Sequence, residues 1–388
     1  MKKKIAILGS TGSIGRSTIE IVKKNNNNFD VVLLSANENY KSLIRQAKEI
    51  KVKNVLINNK KFFKKVKKGL RNYPTKVYSG DVALKNIVNT KLDYTMSAIV
   101  GIAGLQPTID AIRNSKIVAI ANKESIICAW DILLKEIKKN KTKVLPVDSE
   151  HFSIMELTKQ YQDKDIEEIL ITASGGPFLK LPIKKLQKVK PKDAIKHPNW
   201  KMGKKISTDS ANLMNKVFEV IEAFKIFNFN KEKYRIVIHP QSYVHSIIRF
   251  KNGLIKMVLY NADMKIPISN TLFEKNNHVK NIKKISTAVF NKNTFYEVDK
   301  KRFPSVNLVK KIFSSGSSTP TIVNAANEVL VDLFLSNKIG FLDIVKTINK
   351  IFKDKEFKKY AKRKVKSVKD IKLVDNWARL KTMSMCVK

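Results

Sequence analysis

The stretch KIAILGSTGSIGRSTIEIVKK, residues 4–24, decides the fold. Lys4 to Leu8 reads as a short apolar strand, Gly9 to Gly15 as a glycine-rich turn, and Arg16 to Lys24 as a helix. A strand that passes through such a turn into a helix sets an anion on the helix N-terminus, where backbone N–H groups and the helix dipole favour negative charge. The spacing is G-x-x-G-x-x-G instead of the commoner G-x-G-x-x-G, so the turn points to a dinucleotide without requiring one. Glycine turns also simply join strands to helices.

Further along, Val31 to Ala36, Asn54 to Asn58, Tyr94 to Val100 and Ile117 to Asn122 read as buried strands separated by helical stretches. That alternation predicts an α/β protein with an N-terminal Rossmann-like, doubly wound parallel sheet over residues 1–149. A central α/β catalytic domain is expected over 150–274, with strands at Ile169 to Ala173, Tyr234 to Ile238 and His245 to Phe250. Residues 275–300 are polar and irregular, a linker carrying His278 and a short, partly apolar stretch from Ile285 to Phe290. A C-terminal helical domain, 301–388, follows, its clearest helices at Thr321 to Asn337 and Phe341 to Phe352.

With 388 residues the chain has room for two or three cores. No apolar run approaches the ~20 residues of a membrane span, and Gly9 cuts the N-terminal run MKKKIAILG short of a signal sequence. A soluble, cytoplasmic protein is therefore expected. Cys128 and Cys386 lack metal or disulfide spacing and read as reduced thiols. The formal charge of +43 attracts phosphate polymers in a general way. However, only nine of the 76 basic residues are Arg, and the lysines are spread over nearly every surface helix. The runs at Lys60 to Lys68 and Lys353 to Lys366 read as solvated faces, and no nucleic-acid reader motif accompanies them.

Chemistry concentrates in two segments. VLPVDSEH, 144–151, ends an apolar stretch with Asp148, Ser149, Glu150 and His151, and two acids flanking one residue at a strand mouth can point at one hard cation. HPNWKMGKKISTDSANLMNKVFE, 197–219, carries a histidine, serines, lysines and an acid. A helix from Ser210 is expected there, with Asn215, Lys216 and Glu219 on one face. Its N-terminus, with Ser210 and Lys216, favours a dianionic phosphate, and Glu219 can supply a third carboxylate to the cation. Three oxygens without a thiolate suit Mg2+ or Mn2+. Four of the five histidines, His151, His197, His239 and His245, fall within such segments.

At this point the chain closely resembles the 1-deoxy-D-xylulose 5-phosphate reductoisomerase family. The resemblance rests on GSTGSIG at 9–15, ANKES at 121–125, VDSEH at 147–151, ASGGPF at 173–178, HPNWKMG at 197–203, DSANLMNK at 209–216, HPQSYVHS at 239–246 and NAANE at 324–328. It implies a metal on Asp148, Glu150 and Glu219, the ion being Mg2+ or Mn2+ with Co2+ a further candidate. Lys123 and His151 join those three as catalytic candidates. Ser174, Ser210, Asn215 and Lys216 would hold the substrate phosphate with His197 close by. Ser149, Glu150 and Lys123 would meet the hydroxyl and carbonyl end, and His245 would line the same site. The loop with Trp200 and Met202 would close as a lid. The implied NADPH would contact Thr11, Gly12, Ser13, Ile14, Asn37, Glu38, Asn39, Asn122, Glu124 and Gly203. A homodimer acting on a phosphorylated sugar is expected, with no specific nucleic acid and no membrane partner.

One position departs from the family pattern. Asn37-Glu38-Asn39 stands where a small residue, a basic residue and Asn commonly receive the 2'-phosphate, and an acid there ordinarily pairs with a free ribose hydroxyl. Lys41 and Arg45 are available to compensate. Two other readings compete with the resemblance: a metal-independent dehydrogenase of the semialdehyde type, which leaves the three acids without a task, and a nucleic-acid-binding protein, which leaves the glycine turn without one.

Overall fold

The glycine turn adopts a conformation that its composition alone permits. Strand β1 (Lys3–Leu8) runs into Gly9, whose φ is +80° and where a Cβ would lie 2.6 Å from the Ala98 carbonyl oxygen. Gly12 N–H donates to Gly9 O at 3.0 Å. Helix α1 (Ser13–Lys24) then starts with Gly12 as its N-cap, with no side chain capping it and no acid in its first turn. Gly15 packs directly on the turn, because a Cβ there would come within 2.3 Å of Gly9 O and 2.5 Å of Ser10 Cα.

The computed structural model describes residues 1–200, 202–274 and 285–386. It divides into two units, the first holding Met1–Ser125 and Trp130–Phe152, the second Ile126–Ala129 and Ser153–Asp263 together with the C-terminal helices. In the first unit β1 is joined by β2 (Phe29–Ala36), β3 (Asn54–Ile57), β4 (Lys76–Ser79), β5 (Leu92–Ser97), β6 (Ser115–Ile120) and β7 (Lys143–Pro146) in the order β4-β3-β2-β1-β5-β6-β7. Every neighbouring pair is parallel. This is the expected doubly wound sheet, and its strand order reverses between β1 and β5, the place where such folds take ligands at the carboxyl ends of their strands. Helices α2 (Tyr40–Ile50), α3 (Lys123–Asn140) and α4 (Ser149–Thr158) follow β2, β6 and β7.

The second unit is built on a mixed sheet, in the order β11-β10-β8-β9-β12, of β8 (Ile166–Ala173), β9 (Tyr234–Ile238), β10 (Val244–Phe250), β11 (Ile255–Leu259) and β12 (Tyr296–Glu297). β8 and β9 are parallel and the other pairs antiparallel. Ile166, Ile169 and Ile171 of β8 and Ile248 and Phe250 of β10 are buried with Val220 and Ala223 of helix α6 (Met214–Phe227), which follows the shorter α5 (Lys204–Ala211). Helices α8 (Thr319–Leu335), α9 (Phe341–Ile351) and α10 (Val368–Cys386) form the C-terminal part, and the runs Lys60 to Lys68 and Lys353 to Lys366 lie mostly exposed, as read.

Three features differ from the sequence reading. Strands β4 and β11 escaped it, because each is four or five residues long and carries lysine on a partly exposed face. Helix α7 (Lys265–Phe273), placed within the 150–274 segment, belongs to the first unit, where Ile268 and Leu272 are buried with Ile5, Val22 and Tyr94. The Tyr94 hydroxyl meets Thr271 Oγ1 at 2.9 Å, and Lys265 meets Glu20 at 2.9 Å. A short apolar helix of this kind has to be buried, but its composition does not specify which sheet it covers. Of the segment read as a linker, residues 275–284, with His278, lie outside the described residues; the rest holds a 3-10 turn, Thr287–Lys292, and β12, which pairs with β9.

Gly15→Ala should therefore destabilise the first unit by about 2–3 kcal/mol, since the methyl must displace backbone and not a flexible side chain. Denaturant titration measures it. A midpoint equal to wild type would show that the turn relaxes around the methyl.

Candidate active site

In the first unit the residues singled out from the sequence stand at the carboxyl ends of the parallel strands. Thr11, Gly12, Ser13 and Ile14 follow β1, Asn37 to Asn39 follow β2, Asn122 to Glu124 follow β6, and Asp148 to His151 follow β7. The uncapped N-terminus of α1 leaves its first N–H groups to an anion, and the absence of a Cβ at Gly9, Gly12 and Gly15 keeps the turn tight against β1 and β5. The observed geometry thus fits a dinucleotide pyrophosphate.

After β2, Asn39 caps α2 by accepting from Ser42 N–H at 3.2 Å. The exposed Glu38 carboxylate accepts from Asn59 Nδ2 at 3.0 Å, and Asn58 Nδ2 lies 3.5 Å from Asn37 Oδ1. Arg45 is engaged with Glu49 at 4.0 Å. After β6, the buried Asn122 side chain serves the scaffold: its Nδ2 donates to Ile99 O at 2.6 Å and Gly101 O at 3.0 Å, while its Oδ1 accepts from Ser125 N–H as the cap of α3. Lys123, the first residue of α3, puts Nζ 3.0 Å from Asp148 Oδ2. Ser149 donates from its hydroxyl to Glu150 Oε2 at 2.6 Å and from its N–H to Asp148 Oδ1 at 3.0 Å. His151 is fully buried, with Nδ1 3.9 Å from Asp148 Oδ2.

The second unit gathers the other set. Ser174 ends β8, and the next two residues have φ of +82° and +64°; a Cβ on Gly176 would meet Ser210 O at 2.9 Å, so this glycine lets the Ser174 loop close on the end of α5. Here the helix expected from Ser210 is corrected: Ser210 lies near the end of α5, and α6 begins at Met214. Between them Leu213 takes a left-handed φ of 61°, and Asn212 Oδ1 accepts from Met214 N–H at 2.9 Å, which starts the new helix. Apolar periodicity continues through the break, so it did not reveal it. Asn215, Lys216 and Glu219 nonetheless share a face: Asn215 Nδ2 donates to Glu219 Oε1 at 2.5 Å and Lys216 Nζ lies 2.7 Å from Glu219 Oε2. Glu219 is 1% exposed, and its two donors on the same helix compensate that burial.

The histidines separate by partner. His197 Nδ1 accepts from the N–H groups of Asn199 and Trp200 at 3.2 and 3.0 Å, so its proton is on Nε2, which donates to Ser174 Oγ at 3.0 Å. Ser174 Oγ also accepts from Gly176 N–H at 3.1 Å, which leaves its own hydrogen to donate outward to an anion. Burial, with Lys216 nearby, pushes the His197 pKa down to about 4. His239 is structural: Tyr243 N–H donates to its Nε2 and its Nδ1 donates to Thr294 O. His245 Nε2 bonds Tyr260 O, and its ring stacks on Tyr260 at 3.8 Å and meets Trp200 edge-on at 6.1 Å. Met202 is half-buried and Gly203 caps α5. Sequence reasoning missed Asn199, which ties this loop to Pro240 O at 2.7 Å and Ser242 Oγ at 2.8 Å, and the buried Asp209; both sit inside quoted motifs beside more conspicuous neighbours.

A doubly wound sheet with a phosphate-type glycine turn, clustered carboxylates and a built set of anion donors defines a dinucleotide-dependent oxidoreductase for a phosphorylated substrate. Comparison with known proteins narrows this. The family model of 1-deoxy-D-xylulose 5-phosphate reductoisomerase matches residues 5–130, that of its C-terminal domain 144–227, and a further C-terminal domain model 259–381. The chain belongs to this family. The reductoisomerase of Pelagibacter ubique is 46% identical over 387 residues, covering 99% of this chain and 100% of the relative, and that of Wolbachia pipientis from Culex pipiens is 39% identical, covering 97% and 96%. Among solved structures, the Zymomonas mobilis enzyme in complex with NADPH superposes with a TM-score of 0.91 at 35% identity, covering 100% of this chain and 99% of that one. A reductoisomerase complex with NADPH, fosmidomycin and magnesium reaches 0.93 at 31%, covering 99% and 98%.

The depressed His197 pKa has a definite sign. Between about pH 6.5 and 4 the unfolded chain takes up a proton at this position and the folded chain does not, so this residue withdraws stability as pH falls through that window. Nitrogen-detected NMR should show a neutral Nε2–H imidazole at pH 6, titrating near 4. A midpoint at 6.5 would contradict the hydrogen-bond assignment.

Proposed function

We propose that this chain converts 1-deoxy-D-xylulose 5-phosphate to 2-C-methyl-D-erythritol 4-phosphate through its two clusters of side chains. It is an NADP-dependent oxidoreductase that works with a divalent cation, in isoprenoid precursor synthesis. The observation that carries the reading is the family match over nearly the whole chain, joined to the anion-binding set of Ser174, His197, Ser210, Asn215 and Lys216 in the second unit.

Asp148, Glu150 and Glu219 are the metal ligands in this reading. Hard carboxylate oxygens without thiolates fit Mg2+ or Mn2+, with Co2+ the softer candidate. When bound, the cation supplies Lewis acidity toward the substrate's ketone and neighbouring hydroxyl oxygens. NADPH supplies the hydride that reduces the rearranged, branched aldehyde.

The chain's own residues do the rest. Lys123 Nζ, 3.0 Å from Asp148, places a proton and a positive charge at the carbonyl end. Ser149 orients Glu150 through its 2.6 Å hydrogen bond, and His151 backs the same loop. Ser174, His197 Nε2–H, Ser210, Asn215 and Lys216 hold the phosphate dianion and so fix the reacting carbons relative to the cofactor. Trp200 and Met202 cover the site and exclude water from the aldehyde, with His245 packed beneath Trp200. Gly203, Glu124 and the turns after β1, β2 and β6 receive the nucleotide.

The active form in this reading is a homodimer. Its supporting observation is edge strand β11, where Ile255 is 56% and Met257 44% exposed, beside Leu254 at 51%. No helix among the described residues is long and apolar enough to cross a membrane, and neither cysteine forms a disulfide among the described residues, which supports the cytoplasm as its compartment.

Two variants test the assignment. Glu219→Gln keeps the size and loses one ligand charge, so turnover should fall by at least a hundredfold with unchanged melting, and calorimetric Mg2+ affinity should drop at least tenfold. Undiminished Mg2+ binding would remove Glu219 from the metal. Glu38, held by Asn59, should not disfavour NADPH in wild type. Glu38→Lys should then tighten NADPH several-fold with little change for NADH. A wild-type kcat/KM that favours NADH would reverse the cofactor assignment.

A further inference from the structure

The motif NAANE, 324–328, lies far along the chain from every group assigned above, yet it forms part of α8, where Asn324, Ala325, Ala326 and Asn327 are buried. A buried carboxamide is unfavourable unless its polar atoms are matched. Among the described residues Asn327 Oδ1 has no hydrogen-bond partner, whereas Asn327 Nδ2 donates to Asp209 Oδ1 at 2.8 Å. One directed bond therefore accounts for this asparagine, and an aliphatic side chain would serve packing better.

Its acceptor is equally specific. Asp209 is 2% exposed, and its other oxygen receives Lys205 Nζ at 3.1 Å from one turn earlier on α5. Asp209 immediately precedes Ser210, and Asn212 and Leu213, which redirect the chain into α6, come just after. Three contacts brace this junction: Asn327 holds Asp209, Ser305 Oγ donates to Asn212 O, and Gly176 lies close against Ser210 O. Glu328 of the same motif pairs with Arg379 of α10, which is also held by Asp375 at 2.7 Å, so α8 is itself fixed where it carries Asn327.

We infer that Asp209 and Asn327 are positioning residues for the substrate phosphate: their buried bond sets the end of α5, and with it the placement of Ser210 relative to Asn215 and Lys216 across the α5–α6 break. Neither touches substrate. The inference rests on the reading of Ser210 as a phosphate ligand.

The test exchanges donor and acceptor. Asp209→Asn weakens the bond, because the remaining amide oxygen is an uncharged acceptor and the new amide nitrogen faces Lys205, and Asn327→Asp breaks it by setting two carboxylates together. The double variant Asp209→Asn/Asn327→Asp restores an amide-to-carboxylate bond of the same length and shape. Each single change should raise KM for 1-deoxy-D-xylulose 5-phosphate on the order of tenfold and leave KM for NADPH within about twofold, and the double variant should recover most of the loss. Lys205→Gln, on the more exposed side of the same carboxylate, serves if a single variant fails to fold, and it should raise the same KM roughly two- to threefold. Unchanged substrate KM in all these variants would overturn the inference, as would a rise in both KM values together without recovery in the exchange. Ser210→Ala separates the two levels. If it leaves substrate KM unchanged, the phosphate reading itself fails; if it raises KM and the Asp209 and Asn327 variants do not, only the positioning role fails.

Discussion

Glu219 is a nearly fully buried carboxylate, and a buried charge of this kind has to be compensated by the groups around it. Two donors one turn before it, Asn215 and Lys216, grip both of its oxygens, so part of the charge is matched within a single helix. Lys216 stands in the first turn of α6, which begins after α5 ends at Ala211 and the chain turns at Leu213 in a left-handed conformation.

His197 shows the same economy of matched groups. Two backbone N–H groups of its own loop hold Nδ1, and the remaining proton is directed at Ser174, whose hydroxyl is turned outward as a result. Burial beside Lys216 makes the neutral form of this imidazole the stable one.

Much of this was legible from the chain. The parallel sheet followed from the alternation of apolar segments with helices and from one glycine turn, and the shared face of Asn215, Lys216 and Glu219 followed from their spacing. Edge strands β4 and β11 did not, because a half-exposed strand four or five residues long with lysines has no distinctive period. The break at Asn212–Leu213 was hidden because a helix interrupted for two residues keeps nearly the same apolar pattern. Asp209 and Asn327 were hidden for another reason: their meaning is a contact across 118 positions, and local sequence carries no trace of such a pair. Glu38 was flagged as a repulsive acid from its identity, yet the structure turns it toward Asn59, a partner 21 residues away.

Helix α7 has a consequence for how the molecule is made. Phe29, Tyr94 and the inner face of α1 belong to the first 125 residues, yet Thr271, Leu272 and Phe273, which cover them, come more than a hundred residues later, with most of the second sheet in between. A ribosome delivering this chain from its N-terminus therefore releases a nucleotide-binding unit with an open apolar flank, and that flank stays open until residue 273 has emerged. At about 5–20 residues per second the gap lasts many seconds, long enough for a holdase chaperone to engage the nascent chain. Independent expression of an N-terminal fragment ending near Phe152 would make that transient exposure permanent.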